Sequence, residues 1–330
     1  MEALIRIIHT YFKSHRLQIS TLKSKVMTYD ANTGHMNFEG FDDEPLNLEV
    51  VIAFKYLGIT ISSSPYCLFK AQNCNVVKRA HAYMNSIMSL VRNGPDRSEL
   101  AYRIWRVCGL PSVLYGSEIV HLTRKTIEEV EKCNTRIGKF ILQVPQSSAN
   151  VACYIDAGLP PVKCLIAEKV LTYSSNLMRR PASFWPKIAL TENIRLGLES
   201  SYTRNLLRWS KETNCFMTDT KSIKSVVHKH YILDILDQQR KTSYTTFALR
   251  DRDSIQHPWF QPKPWITDGI ASRTIASFRV LNVQLGNRGP AINGQFYKLC
   301  PLCREKNIIA LNNEVISLGI VCLFVRVLGR

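Results

Sequence analysis

The chain of 330 residues has no apolar stretch long enough to cross a bilayer. Its longest such run, Val315 to Val325, falls well short of the ~20 residues that a membrane helix needs. Met1 is followed by Glu2 and Arg6 rather than by a continuous apolar segment, so neither a membrane span nor a secretory signal is expected. Internal repeats and low-complexity tracts are also missing. Acidic side chains are scarce: 26 Asp and Glu stand against 43 Lys and Arg, a formal charge of +17. What is present is an ordinary globular composition, 45% hydrophobic, with room for about two domains at ~150 residues each. The ten cysteines are scattered, and a chain of this size folds without disulfide staples. Reduced thiols and an intracellular location, nuclear or cytoplasmic, are therefore expected.

The positive excess is unevenly placed. Residues 1–62 carry 6 basic and 7 acidic side chains, residues 63–150 carry 12 and 6, and residues 151–330 carry 25 and 13. The excess is thus confined to the region after residue 62, which suits a polyanionic partner, nucleic acid being the commonest. A merely solubilising charge is the alternative, and composition does not separate the two.

Hydrophobic periodicity divides the chain further. Leu4, Ile7, Ile8, Tyr11 and Phe12 recur at three and four, predicting a helix over residues 2–17. Val26-Met27-Thr28-Tyr29 and His35-Met36-Asn37-Phe38, separated by an Asn32-Thr33-Gly34 turn signal, predict two short strands pairing as a hairpin. Glu49 to Ala53 and the run from Phe54 to Ile61, broken at Gly58, predict a strand, a tight bend and another strand. Beyond Pro65 the period becomes helical. One helix carries Val76, Val77, Ala80, Tyr83, Met84, Ile87, Met88 and Val91 and closes at Asn93-Gly94-Pro95. A second is expected from Asp96 to Cys108, with Trp105 on its apolar side beside Ile104 and Cys108, and a third from Pro111 to Leu122. The fourth starts at Thr123 or at Thr126, where Thr126-Ile127-Glu128-Glu129 has the form of a capping box. Val144-Pro145 ends this bundle. Helices are expected again over residues 162–178 and 192–208, and an irregular connection over residues 256–264. His228 and His230, two apart, are expected at the surface.

Several segments carry a resemblance. Leu17-Gln18-Ile19-Ser20-Thr21-Leu22-Lys23-Ser24-Lys25-Val26-Met27 resembles the segment after the catalytic strand in reverse transcriptases of non-long-terminal-repeat, LINE-type retrotransposons, with Ser20 and Ser24 in place of the family's Asn and Thr. Phe54-Lys55-Tyr56-Leu57-Gly58-Ile59 resembles that family's primer-grip hairpin, and Leu110-Pro111-Ser112-Val113-Leu114-Tyr115-Gly116-Ser117-Glu118 its thumb signature. The run from Arg136 to Pro145 and then Ala157-Gly158-Leu159-Pro160-Pro161 follow in the family's order, as does Cys300-Pro301-Leu302-Cys303 near the end. The resemblance implies an α+β, mostly α protein. Short palm-remnant hairpins in residues 1–62 would be followed by a thumb-like bundle in 63–150, a basic helical region in 151–295 and a degenerate zinc-knuckle-like tail in 296–330.

The same resemblance implies what is missing. The family polymerises with two Mg²⁺ ions held by carboxylates, one pair in an aromatic-x-Asp-Asp tetrapeptide just before the Lys-x-Lys segment. Residues 1–16 contain no aspartate, and Phe41-Asp42-Asp43-Glu44 lies downstream of that position and reads as an acidic surface turn. The expectation is a chain that begins after the catalytic centre, with no cofactor of its own and no small-molecule substrate. By resemblance Lys23 and Lys25 lie near an incoming nucleotide; otherwise they are solvent-facing residues entering a strand. Phe54, Lys55, Tyr56, Leu57 and Gly58 either support a primer terminus or pack as core, and extended geometry would put at least one of Tyr56 and Leu57 inside. Lys70, Lys78, Arg79, Arg92, Arg97, Arg103 and Arg106 are candidate contacts to the backbone of RNA, DNA or an RNA–DNA hybrid. Zinc would need Cys300, Cys303 and Cys322 plus a borrowed fourth ligand, since the last histidine is His257. Two further readings stay open: a subunit completing an RNA-directed DNA polymerase in trans, and a mobile-element relic without selected function.

Overall fold

A computed structural model describes residues 2–17, 19–28, 34–38, 46–64, 68–93, 97–198, 200–215, 220–238, 291–292 and 295–296. Phe41 to Glu44, the connection over 256–264, Cys300, Cys303, Cys322 and the tail from residue 297 lie outside the described residues.

The N-terminal part is α+β. Helix α1 (Glu2–Ser14) precedes strands β1 (Lys25–Val26), β2 (Gly34–Phe38) and β3 (Leu46–Val50). These strands do not form the expected β1–β2 hairpin. The order is β1-β3-β2, with β1 parallel to β3 through Val26 opposite Val50, and β2 antiparallel to β3 through Met36 opposite Leu48. Burial explains the change: β3 carries two inward residues, Leu48 and Val50, and the central place lets Val26 cover them from one side and Phe38 from the other. All four are buried, with Ile5 of α1 packed against them. Strands β4 (Ala53–Tyr56) and β5 (Ile59–Ser62) then form the expected tight hairpin. Its two central residues, Leu57 at φ 46° and Gly58 at φ 84°, both occupy the left-handed region, as a two-residue turn of the I′ kind requires.

Among the described residues helices dominate from there on. They are α2 (Lys70–Leu90), α3 (Arg97–Ile104), α4 (Leu110–Val113), α5 (Arg124–Leu142), α6 (Val151–Ile155), α7 (Val162–Met178), α8 (Trp185–Arg195), α9 (Ser201–Thr213) and α10 (Thr220–Gln238). A two-residue pairing of β6 (Ala291–Ile292) with β7 (Gln295–Phe296) follows. The helix expected over 111–122 is cut to four residues, because Gly116 turns the chain at φ +78°. Between α3 and α4 the chain makes a π turn, Trp105–Gly109, closed by a bond from the Leu110 N–H to the Trp105 carbonyl. Gly109 allows it: a Cβ there would lie 2.4 Å from the Trp105 ring. The same turn moves Cys108 out to solvent, whereas Trp105 is fully buried as expected.

Thr123, not Thr126, starts α5: its hydroxyl accepts the Thr126 N–H at 3.2 Å, satisfying an amide that the first turn leaves open. The helix ends on Gln143 in the left-handed conformation. The span expected as one helix over 192–208 is broken by Gly197 at φ +63°, and Ser200 caps the new start by accepting the Thr203 N–H. One hydrophobic core runs without interruption from Val76 and Met84 of α2 through Trp105, Ile137 of α5 and Val170 of α7 to Trp209 of α9 and Tyr231 of α10. The boundary expected at residue 150 therefore falls inside a shared core. Among the described residues no helix is long and apolar enough to cross a membrane.

Candidate nucleic-acid interface

The β4–β5 hairpin is built onto the helical body by polar contacts on two sides. From α2, the Gln72 side-chain oxygen Oε1 accepts the Thr60 N–H at 2.9 Å and the Asn75 side-chain Nδ2 donates to the Thr60 hydroxyl at 3.0 Å. From the turn after α4, the Tyr115 hydroxyl donates to the Leu57 carbonyl at 3.0 Å. Two glycines let the surfaces meet. A Cβ on Gly58 would stand 3.0 Å from the Tyr115 ring, and one on Gly116 would stand 2.8 Å from Ile59 Cδ1. The hairpin tip thus has a fixed attitude on the bundle.

That tip points polar and aromatic groups outward. Lys55 is exposed, Tyr56 is 59% exposed and Leu57 73%, while Phe54 is half-buried. The expectation that Tyr56 or Leu57 would be core is corrected, because Leu57 sits in the turn itself and alternation does not extend through it. Lys23 is exposed in a turn, whereas Lys25 on β1 is half-buried and ion-paired with Glu49 of β3.

The candidate phosphate contacts divide by their partners. Lys70 and Lys78 on α2 and Arg92 just beyond it are exposed. The two lysines are about 12 Å apart along the axis at 1.5 Å per residue. Arg79, next to Lys78, is half-buried and donates to the Ser112 carbonyl at 3.1 Å, so it ties α2 to α4. Arg97 lies 5.8 Å from the centre of the Phe140 ring. Arg103 pairs with Glu99 one turn back; such exposed pairs are worth no more than about 1 kcal/mol, so this cation stays available to a stronger anion. Arg106, half-buried, lies over the Tyr102 ring, bonds its hydroxyl and lines a cleft shared with α4, α7 and α10.

Two constellations have no counterpart in the hydrophobic pattern. Asn134 of α5, fully buried, accepts the Trp105 indole N–H at 2.9 Å and donates to the Pro160 carbonyl at 3.0 Å and to Glu131 at 3.1 Å. Glu131 also accepts the Val162 N–H at 2.6 Å, capping α7, and the Tyr154 hydroxyl at 3.2 Å. Burial pushes the Glu131 carboxyl above its ordinary 4.5, against the pull of these donors. The second constellation corrects the reading of His228 as a surface residue. Its ring is 1% exposed, with Nε2 2.8 Å from Glu168 of α7.

Among the described residues no group of three or more His, Cys, Asp or Glu able to hold a metal occurs. Compared with family models, with curated proteins and with solved structures, the chain matches none.

Proposed function

We propose that the chain binds nucleic acid through the sugar-phosphate backbone, with the β4–β5 hairpin tip and the solvent-facing cations of α2 forming one contact surface, and that it does not polymerise. The observation that supports this reading is the fixed docking of the hairpin. Thr60 is held by Gln72 and Asn75, and Leu57 by Tyr115, so Lys55 and Tyr56 are presented with the same helix that presents Lys70 and Lys78. The resemblance of residues 54–59 to a LINE-type primer grip and of 110–118 to its thumb gives the surface its expected ligand, an RNA, DNA or hybrid duplex end.

The chemistry is that of phosphate neutralisation. Lys55, Lys70, Lys78 and Arg92 each supply a point charge or fork to a phosphate, releasing condensed counterions, and the Tyr56 ring offers a face to an end base. No step involving metal is part of the proposal.

Four phosphate contacts correspond to a slope of about −3.6 in log affinity against log salt, roughly a hundredfold loss from 50 to 200 mM. Titrating a labelled RNA–DNA hybrid at four salt concentrations measures it. The triple variant Lys55→Gln, Lys70→Gln, Lys78→Gln should reduce the slope by about three. A near-zero slope in the parent chain, or the same slope in the variant, overturns the proposal. Incorporation in a primer-extension assay with Mg²⁺ would overturn its second half.

A further inference from the structure

Half-buried Arg106 lines a cleft of about 220 Å³. The π turn and α4 form one wall, and α7 and α10 the other. The floor is apolar, made by Leu110, Pro111, Leu114, Pro160 and Leu165, whereas the polar lining is almost entirely basic. Arg106, Lys169 and Lys224 stand there with His228 and a single carboxylate, Glu168.

The geometry of these groups decides which ligands the cleft favours. Both oxygens of Glu168 face basic groups of the protein: Oε2 is 2.8 Å from His228 Nε2, and Oε1 is 4.0 Å from Lys224 Nζ. Lys169 is anchored at the wall, donating to the Leu114 carbonyl at 3.2 Å. Arg106 is held against Tyr102. The lining itself carries three permanent cations and one carboxylate beside apolar side chains, where a field is screened less than at an open surface. A metal ion would be repelled, and an anion is attracted. The volume lies below the ~300 Å³ of sites for drug-sized ligands, so the anion must be small. The π turn bearing Arg106 adds a second, independent pointer, since such turns recur where a helix serves a site.

We propose that this cleft binds a phosphomonoester, its phosphate held by Arg106 and Lys224 and its small apolar body lying on Leu110, Leu114 and Leu165. The ligand is either a free small phosphate ester or the terminal phosphate of a nucleic-acid strand; the recognised chemistry is the same. The proposal does not depend on the hairpin surface, since it uses none of Lys55, Lys70 and Lys78.

Calorimetric titration of the full chain with phenyl phosphate tests it, with phenol as the uncharged probe. Saturable one-to-one binding is expected, at least tenfold tighter than phenol. Arg106→Gln and Lys224→Gln should each weaken phenyl phosphate at least tenfold, with Lys78→Gln unchanged. The Lys224 side chain is 48% exposed, so its replacement leaves the fold intact and keeps the test decisive if Arg106→Gln proves unstable. Equal binding of phenol, or parental affinity in Lys224→Gln, overturns the proposal. Given binding, a 5′-phosphorylated oligonucleotide that displaces phenyl phosphate at tenfold lower concentration than its 5′-hydroxyl twin supports the strand end as the source. Equal displacement by the two supports the free ester. Because the salt slope is read with other residues, either proposal fails without the other.

Discussion

Replacing Asn134 by alanine probes the polar centre of the core. Its side chain is the shared partner of the Trp105 indole and the Pro160 carbonyl, at 2.9 and 3.0 Å, in a site with no solvent exposure. Deletion leaves one buried donor and one buried acceptor unpaired, each at a cost of about 1–3 kcal/mol, hence about 2–6 kcal/mol in all. Against a total stability of about 5–15 kcal/mol that is a large fraction. The effect is separable from simple loss of packing by a double-mutant cycle with Trp105→Phe. In that background the indole donor is gone, so Asn134→Ala should cost less by about 1–2 kcal/mol. Urea unfolding followed by far-UV circular dichroism measures all four proteins, and the signal does not rely on the altered tryptophan. Strictly additive costs, or a loss below about 1 kcal/mol for Asn134→Ala, would refute the assignment of Asn134 as a satisfied hub.

Two further outcomes follow from backbone and charge. Gly116→Ala should destabilise by about 2–4 kcal/mol, combining left-handed strain with overpacking against Ile59, and should weaken the proposed nucleic-acid binding by lifting the hairpin. Gly197→Ala, at φ +63° with nothing within 4 Å, should cost only the backbone part, about 1–2 kcal/mol; equal losses in urea unfolding would refute the docking contact. For Glu131 the folded carboxyl titrates above its ordinary 4.5, so the folded state holds its proton over a window in which the unfolded state has released it. The stability it contributes is therefore complete below pH 4.5 and is lost as pH rises through the raised value. Unfolding free energies of the parent minus Glu131→Gln should fall across that window, and a flat or rising difference contradicts the assignment.

What could be read from the residues follows their chemistry. The β4–β5 hairpin was visible because an aromatic and β-branched run is interrupted by a single glycine at the turn. Helix α7 was visible over its full length, since Pro161 opens it and apolar residues recur through Val170 and Leu171. The β1–β3 pairing was not, because it joins segments more than twenty residues apart and local alternation holds no information on partners. Helix α10 also escaped: apolar and polar residues spread around it, and the buried partner that pulls His228 inward, Glu168, is 60 positions away. The seven basic candidates looked alike as letters. Only the fold separates Lys70 and Lys78, which face water, from Arg79 and Arg106, which serve the interior. The Asn134 hub was hidden for a related reason, since a polar residue on α5 looks like a solvated one until its partners converge.

The π turn settles a question of helical phase. In a regular α-helix Trp105 and Leu110, five residues apart, would point about 140° away from each other, so one of them would face water. The widened turn buries both, Trp105 completely and Leu110 to 4% exposure, while Val107 between them stands 70% exposed. One residue has in effect been inserted without rotating what comes after it. Length changes are consequently not equivalent along this chain. Removing Val107 would relax the turn to a regular helix with both flanks still in register, whereas removing any single residue from the middle of α5 would swing half its core face by about 100° into solvent.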